Sequence, residues 1–161
     1  MPSSNSEVRT YPSILDRLLD DEPEVAREPL HQRFQGVRRL KRAVTRDLEA
    51  LLNTRQEQLT ALPAACSEVQ RSLLTYGLPD FTAWSLLSPA DRQRLRRALE
   101  QAIASSEPRL TRVQVILEPP REYERVVRFR IEALLRVEPA PEPVSFDAVL
   151  QLHTLEYVVR G

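Results

Sequence analysis

The run Ser105-Ser106-Glu107-Pro108-Arg109-Leu110-Thr111-Arg112-Val113-Gln114-Val115 divides this chain into two kinds of structure. To its left, Leu95, Leu99, Ala102 and Ile103 recur at helical spacing; to its right, Val113, Val115 and Leu117 alternate with Arg112, Gln114 and Ile116. Pro108 has no N–H to donate and disfavours helical geometry at Glu107. The chain therefore changes period from 3.6 to 2 at one stiff turn. That turn also holds an acid and an arginine in a fixed relation. They can pair with each other or with groups on another molecule, and the residues alone leave both readings open.

Upstream of the turn the pattern is helical. Ile14, Leu15, Leu18 and Leu19 suggest a short helix with Ser13 as cap, Asp16 in its first turn and Pro23 as its stop. Val37, Leu40, Val44, Leu48, Leu51 and Leu52 form the apolar stripe of an amphipathic helix ending near Asn53, with Arg38, Arg39, Arg42, Arg46, Asp47 and Glu49 on its other side. Val69, Leu73 and Leu74 indicate a further short helical piece stopped by Gly77 and Pro79, and "LPDFTAWSLL" (78–87) reads as a hydrophobic plug under a loop. Ser88-Pro89-Ala90-Asp91 predicts a capped helix start, with the acid reaching back.

Downstream the pattern is extended. Val127, Phe129, Ile131, Ala133, Leu135 and Val137 alternate with polar residues, and "EPAPEP" (138–143) predicts a loop. Phe146, Ala148, Leu150 and Leu152 alternate next; the apolar parity then slips to Leu155, Tyr157 and Val159. One extra residue near His153 or Thr154 accounts for the slip, so a β-bulge is expected there. The resulting fold class is α+β, with N-terminal helices packed on one face of a three-stranded antiparallel β-meander. Residues 1–12 read as a flexible segment and 13–161 as a single domain. Neither edge of the sheet is obviously guarded by lysine.

Composition narrows the function. The 161 residues are 42% hydrophobic and 29% charged, which suits one packed domain. Twenty-three basic and 23 acidic residues cancel, so no global field draws in nucleic acid or a membrane surface. Lys41 is the one lysine; nearly all positive charge is arginine, the residue suited to bidentate pairing with carboxylates at interfaces. Four arginines (92, 94, 96 and 97) make a local patch, but no interleaved aromatics or glycine-rich loop accompany them, and a solvated or protein-facing helix side is the better reading. The one cysteine, Cys66, allows no internal disulfide and has no identifiable base beside it; a reducing cytoplasm is expected. No apolar leader or bilayer-length stretch is evident.

His31 and His153 lack partners at metal-ligand spacing, and three glycines in the chain form no phosphate-cradling loop. Glu107, Glu118, Glu122 and Glu124 are candidates for glycoside hydrolysis only by being acids. No catalytic residue, metal or cofactor is therefore assigned.

Six segments, in order, resemble one family: "SILDRLLDD", "VTRDLEALLNTR", "SLLTYGLPDFTAW", "SSEPRLTRVQV", "VVRFRIEALLRV" and "PVSFDAVLQLHTLEYVV". The chain is similar to the TssE family of type VI secretion baseplate subunits and to the wedge proteins of contractile phage tails. The resemblance runs from about residue 13 to the end and makes 13–161 a baseplate-wedge-like domain. It implies a structural, non-enzymatic protein that binds the TssF–TssG wedge with TssK further out. It also implies a template for polymerisation of the contractile TssB–TssC sheath. The location implied is the cytoplasmic side of the inner membrane complex, without direct insertion into the membrane and without nucleic acid. The family's Glu-Pro-Arg signature falls on Glu107, Pro108 and Arg109, which the resemblance makes a partner-binding contact. On that basis alanine at Glu107 or Arg109 is expected to leave folding nearly intact and to weaken wedge binding; unfolding would mark an internal bridge instead. A regulatory adaptor or anti-adaptor on the same fold is the alternative, and the muramidase label carried by some relatives finds no supporting residue set here.

Overall fold

The computed structural model describes residues 14–18, 37–56, 68, 72–119 and 126–161. Among them, helix α1 spans Ile14–Leu18, α2 Val37–Asn53 and α3 Pro89–Ser106, with a single 3-10 turn at Leu73–Thr75. Four strands follow: β1 Leu110–Leu117, β2 Val126–Leu135, β3 Glu142–Gln151 and β4 Glu156–Arg160. They form one antiparallel sheet in the order β1-β2-β3-β4. The expected segment 1–12, together with His31 and Cys66, lies outside the described residues.

The α+β meander is as expected, but it has four strands and not three. Where a bulge was expected near His153 or Thr154, Leu152–Leu155 instead reverse the chain, and the Leu155 N–H donates to the Gln151 carbonyl at 2.8 Å. A bulge and a tight turn both shift apolar parity by one, so the sequence pattern alone does not separate them. The register separates them: Leu150 lies opposite Tyr157 and Ala148 opposite Val159, all four buried on the same face. Leu155 takes the left-handed conformation that the turn requires (φ 58°), in a stretch without glycine.

A bulge does occur, in β1. Thr111 pairs with Leu134 and Gln114 with Glu132, so one residue is extra between them, and Arg112 sits at φ 53°. Its effect is visible in burial. Leu110 and Val115 are both buried although five positions apart, which an unbroken strand forbids. The predicted 138–143 loop is shorter than expected, because Glu142 and Pro143 pair with Leu135 and Leu134. Proline is tolerated there because β4 does not reach it; the last β4 residue, Arg160, pairs with Asp147.

The buried stripe of α2 (Leu40, Val44, Leu48, Leu51 and Leu52) and that of α3 (Leu95, Leu99 and Ile103) meet the sheet residues Val115, Phe129, Ile131, Leu135, Phe146 and Leu150 in one core. The other sheet face is wet and carries the cross-strand pair Arg130–Asp147, at 2.8 Å. The start of α3 departs from the simple cap. Ser88 makes no side-chain cap bond, and Asp91 accepts from the Ser85 N–H at 3.0 Å. The plug is present: Phe81 packs on Trp84 and edge-on to Tyr157, with the Arg55 guanidinium over its ring at 4.5 Å. Gly77, at φ 107°, lets Leu78 bridge back to Arg55; any Cβ would stand 2.5 Å from the Thr54 carbonyl oxygen.

Tyr157 is 2% exposed, and its hydroxyl finds no partner among the described residues. Burial penalises the phenolate and pushes the ionisation well above the ordinary value of 10.0. A folded-state value raised above the unfolded one leaves stability intact below about pH 10 and removes it as the pH climbs further. Tyr157→Phe therefore raises stability by about 1 kcal/mol at neutral pH, by removing an unsatisfied buried group. It also flattens the alkaline loss; urea titrations at pH 7 and above pH 10 measure both effects.

Candidate functional site

The helix-to-strand junction is built by the backbone before any side chain acts. Glu107 leaves helical geometry (φ −118°, ψ 85°), while its N–H still donates to Ile103 at 2.9 Å and closes α3. Its carbonyl then accepts from the Leu110 N–H at 3.1 Å, so Pro108 and Arg109 occupy the centre of a tight turn. The turn is tied to β2's far end, since the Arg136 N–H donates to the Arg109 carbonyl at 2.8 Å.

Within this frame Glu107 is the one buried charged residue among those described, at 5% exposure. Arg109 grips it side-on: Nε donates to Oε1 at 2.7 Å, Nη2 to Oε2, and the Arg109 backbone N–H adds a third bond to Oε1 at 3.2 Å. The same guanidinium reaches two helices. Nη2 also donates to Asp47 on α2, and Nη1 to Asp16 on α1 at 3.5 Å. Arg46 closes the ring, with Nη2 on Asp16 and Nε on Asp47, both at 2.8 Å.

Two arginines and three carboxylates thus form one network, with a formal surplus of one negative charge. Burial alone would lower the Arg109 pKa, but the carboxylates of Glu107 and Asp47 outweigh it and push it upward, so the guanidinium stays charged. Burial, and then the fields of Asp47 and Glu107, raise the neighbouring Tyr76.

Helix α1 is held to this network by its acid and not by its apolar residues. Asp16 is turned inward, with only 5% of its side chain exposed, whereas Ile14, Leu15 and Leu18 face outward. Sequence reasoning singled out Glu107 and Arg109 but not their partners. Asp47 is 62 positions from Arg109 and Asp16 is 93, and no local pattern announces such pairs. Both Glu107 oxygens are taken by Arg109, which leaves no free carboxylate there for acid–base chemistry. Glu122 and Glu124 lie outside the described residues, and among those described no cluster of His, Cys, Asp or Glu is arranged to hold a metal.

The sheet edges are a second finding. Tyr157 on β4 exchanges two hydrogen bonds with the Asn53 side-chain amide: its N–H donates to Oδ1 at 2.8 Å, and its carbonyl accepts from Nδ2 at 2.9 Å. The Val159 N–H donates to Glu49 at 3.2 Å. On β1 the Val115 N–H donates to Glu100 of α3 at 3.0 Å, and Arg92 donates to the Glu118 carbonyl at 2.7 Å. Neither margin is guarded by lysine, and both carry side chains of the helices instead.

These observations meet in the comparisons with known proteins. The family described as "Baseplate wedge protein gp25" matches residues 38–140, from the start of α2 through the junction and past β2. The chain belongs to that family. A chain of a solved structure described as "The baseplate complex from the type VI secretion system" is similar at 23% identity, covering 71% of this chain and 96% of that one, with a TM-score of 0.46. No curated protein matches. Among the described residues no helix is long and apolar enough to cross a membrane.

The network makes Glu107 and Arg109 an internal bridge, so the expectation that alanine leaves the fold nearly intact does not suit Arg109. Removing the guanidinium strands Glu107 and takes one of their two arginines from Asp16 and Asp47. Arg109→Ala lowers unfolding free energy by about 3 kcal/mol. Arg109→Lys recovers only part of it, since an ammonium does not span three carboxylates with a planar fork. Glu107→Ala costs less, about 1–2 kcal/mol, because Arg109 keeps Asp47 and Asp16. Urea denaturation midpoints rank the three variants.

Proposed function

We propose that this chain is a structural baseplate subunit of a bacterial type VI secretion system, a TssE. In this reading it binds the TssF–TssG wedge beside TssK and templates the first ring of the TssB–TssC sheath, on the cytoplasmic side of the inner membrane complex. The observation that carries the reading is that the family match contains the whole Glu107-Pro108-Arg109 junction, α3, and α2 from Arg38 onward, with Asp47 that braces it. The junction is rigid and carries surplus negative charge. Beside it stand the outward side chains of Ile14, Leu15 and Leu18, which are 79%, 50% and 75% exposed. An apolar rim around a partly desolvated ion network fits a partner offering a basic residue among apolar ones.

Deleting residues 145–160 is a poor test of sheath assembly, because it removes Phe146, Leu150, Tyr157 and Val159 from the core. A surface change separates binding from folding. Leu18→Asp leaves the urea midpoint unchanged and reduces co-purification with TssF–TssG by about tenfold or more, as expected for losing an interface anchor. A tagged pull-down that returns neither wedge nor sheath subunits from secreting cells overturns the assignment. Recovery of a response regulator in their place points to the adaptor.

A further inference from the structure

Helix α2 is charged against its own dipole. The start of a helix is the positive end of that dipole and favours acids. Helices α1 and α3 follow the rule, with Asp16 and Asp91 in their first turns. Helix α2 has no acid in its first turn, and Arg38, Arg39, Lys41, Arg42 and Arg46 all precede its first acid, Asp47. Arg38, Arg42 and Arg46 also follow one another at four-residue spacing, where like charges repel from turn to turn. Both features weaken a helix. The core does not require them, since the buried stripe of α2 is apolar and Arg38, Arg39 and Arg42 are exposed.

Two of these charges are also unanswered within the molecule. Arg46 is bound by Asp16 and Asp47, and the Lys41 ammonium lies over the Phe146 ring at 5.7 Å. Arg38 and Arg42 have no acid within ion-pair distance among the described residues. A chain whose charges cancel overall thus gathers uncompensated arginine on the outward side of one helix, at that helix's expense. The surface is a line of side chains over successive turns, with a repeat of about 6 Å.

The chemistry of the partner follows from the guanidinium, whose planar fork pairs bidentately with a carboxylate. A second helix with Asp or Glu at every fourth residue has the same repeat of about 6 Å and meets the arginines in register. Nucleic acid fits less well. Asp47 and Glu49 follow Arg46 within a turn and repel a phosphate track, and α2 carries no aromatic residue on which a base could stack.

We infer that the outward face of α2 is a docking surface for an acidic helix of a protein partner, gripped by Arg38 and Arg42. That the partner is a baseplate subunit rests on the reading above; the acidic chemistry does not.

The test uses the full-length protein and a double variant, Arg38→Glu with Arg42→Glu. The probe is a fluorescent alanine-based helical peptide with glutamate at every fourth position. The controls are the same peptide with lysine in place of glutamate, and a short DNA duplex. At low salt the natural chain binds the glutamate peptide in preference to both controls, and rising salt releases it. The double variant binds it about tenfold more weakly or worse. Its thermal midpoint rises at the same time, because acids then stand at the positive end of the helix. A merely structural role moves binding and stability in the same direction.

A midpoint that falls makes the arginines part of the fold and overturns the docking surface. A glutamate peptide bound equally by both proteins, or not bound by the natural chain, overturns it as well. Tighter binding of the duplex than of the peptide moves this face to nucleic acid and overturns the protein partner. If the peptide results hold and the double variant still co-purifies TssF–TssG undiminished, the surface stands and serves a partner outside that wedge. The peptide decides the surface whether or not a pull-down returns baseplate subunits.

Discussion

One guanidinium organises this molecule. Arg109 stands where helix turns into sheet and is bound at once by the residue two positions before it, by α2 and by α1. Pro108 fixes the angle of the turn, and Arg109 makes that angle the same as the angle between the helices and the sheet. Ionic contacts at exposed positions contribute little, but here the carboxylates of Glu107 and Asp16 are almost wholly withdrawn from solvent. Removing Arg109 leaves the buried Glu107 without its guanidinium and Arg46 as the one arginine of the network on Asp16 and Asp47. The apolar core would hold α2 and α3 on the sheet regardless; α1, whose apolar residues point away, has its described attachment through Asp16.

This arrangement unites the two readings of the Glu-Pro-Arg run that its sequence left open. The turn is punctuation in the backbone and a bridge in the side chains. Its contribution to assembly, in the proposed baseplate role, comes from what it holds in place. A rigid corner presents the outward face of α1 and the loop around Tyr76 in one orientation, so a partner meets a surface already ordered.

The parts legible in the sequence are those with a strong local period. The helical stripes through Leu40–Leu52 and Leu95–Ile103, the alternation in β2, and the stop at Pro108 all follow from spacing. The fourth strand was not separable, because a parity slip of one has two geometric solutions, and burial opposite Leu150 chooses between them. The partners of Arg109 were hidden for a different reason: Asp16 and Asp47 sit on helix faces where acids are ordinarily solvated. Glu49, Asn53 and Glu100 were hidden in the same way. They have the pattern of wet residues and do the work of strand neighbours.

The order of the strands has a consequence for the free molecule in solution. A meander whose strands are sequence neighbours closes each inner ladder locally. At its two outer margins the amides of Val115, Tyr157 and Val159 are answered by side chains of its own helices. Two free copies that collide there meet bonds already made, and stay apart.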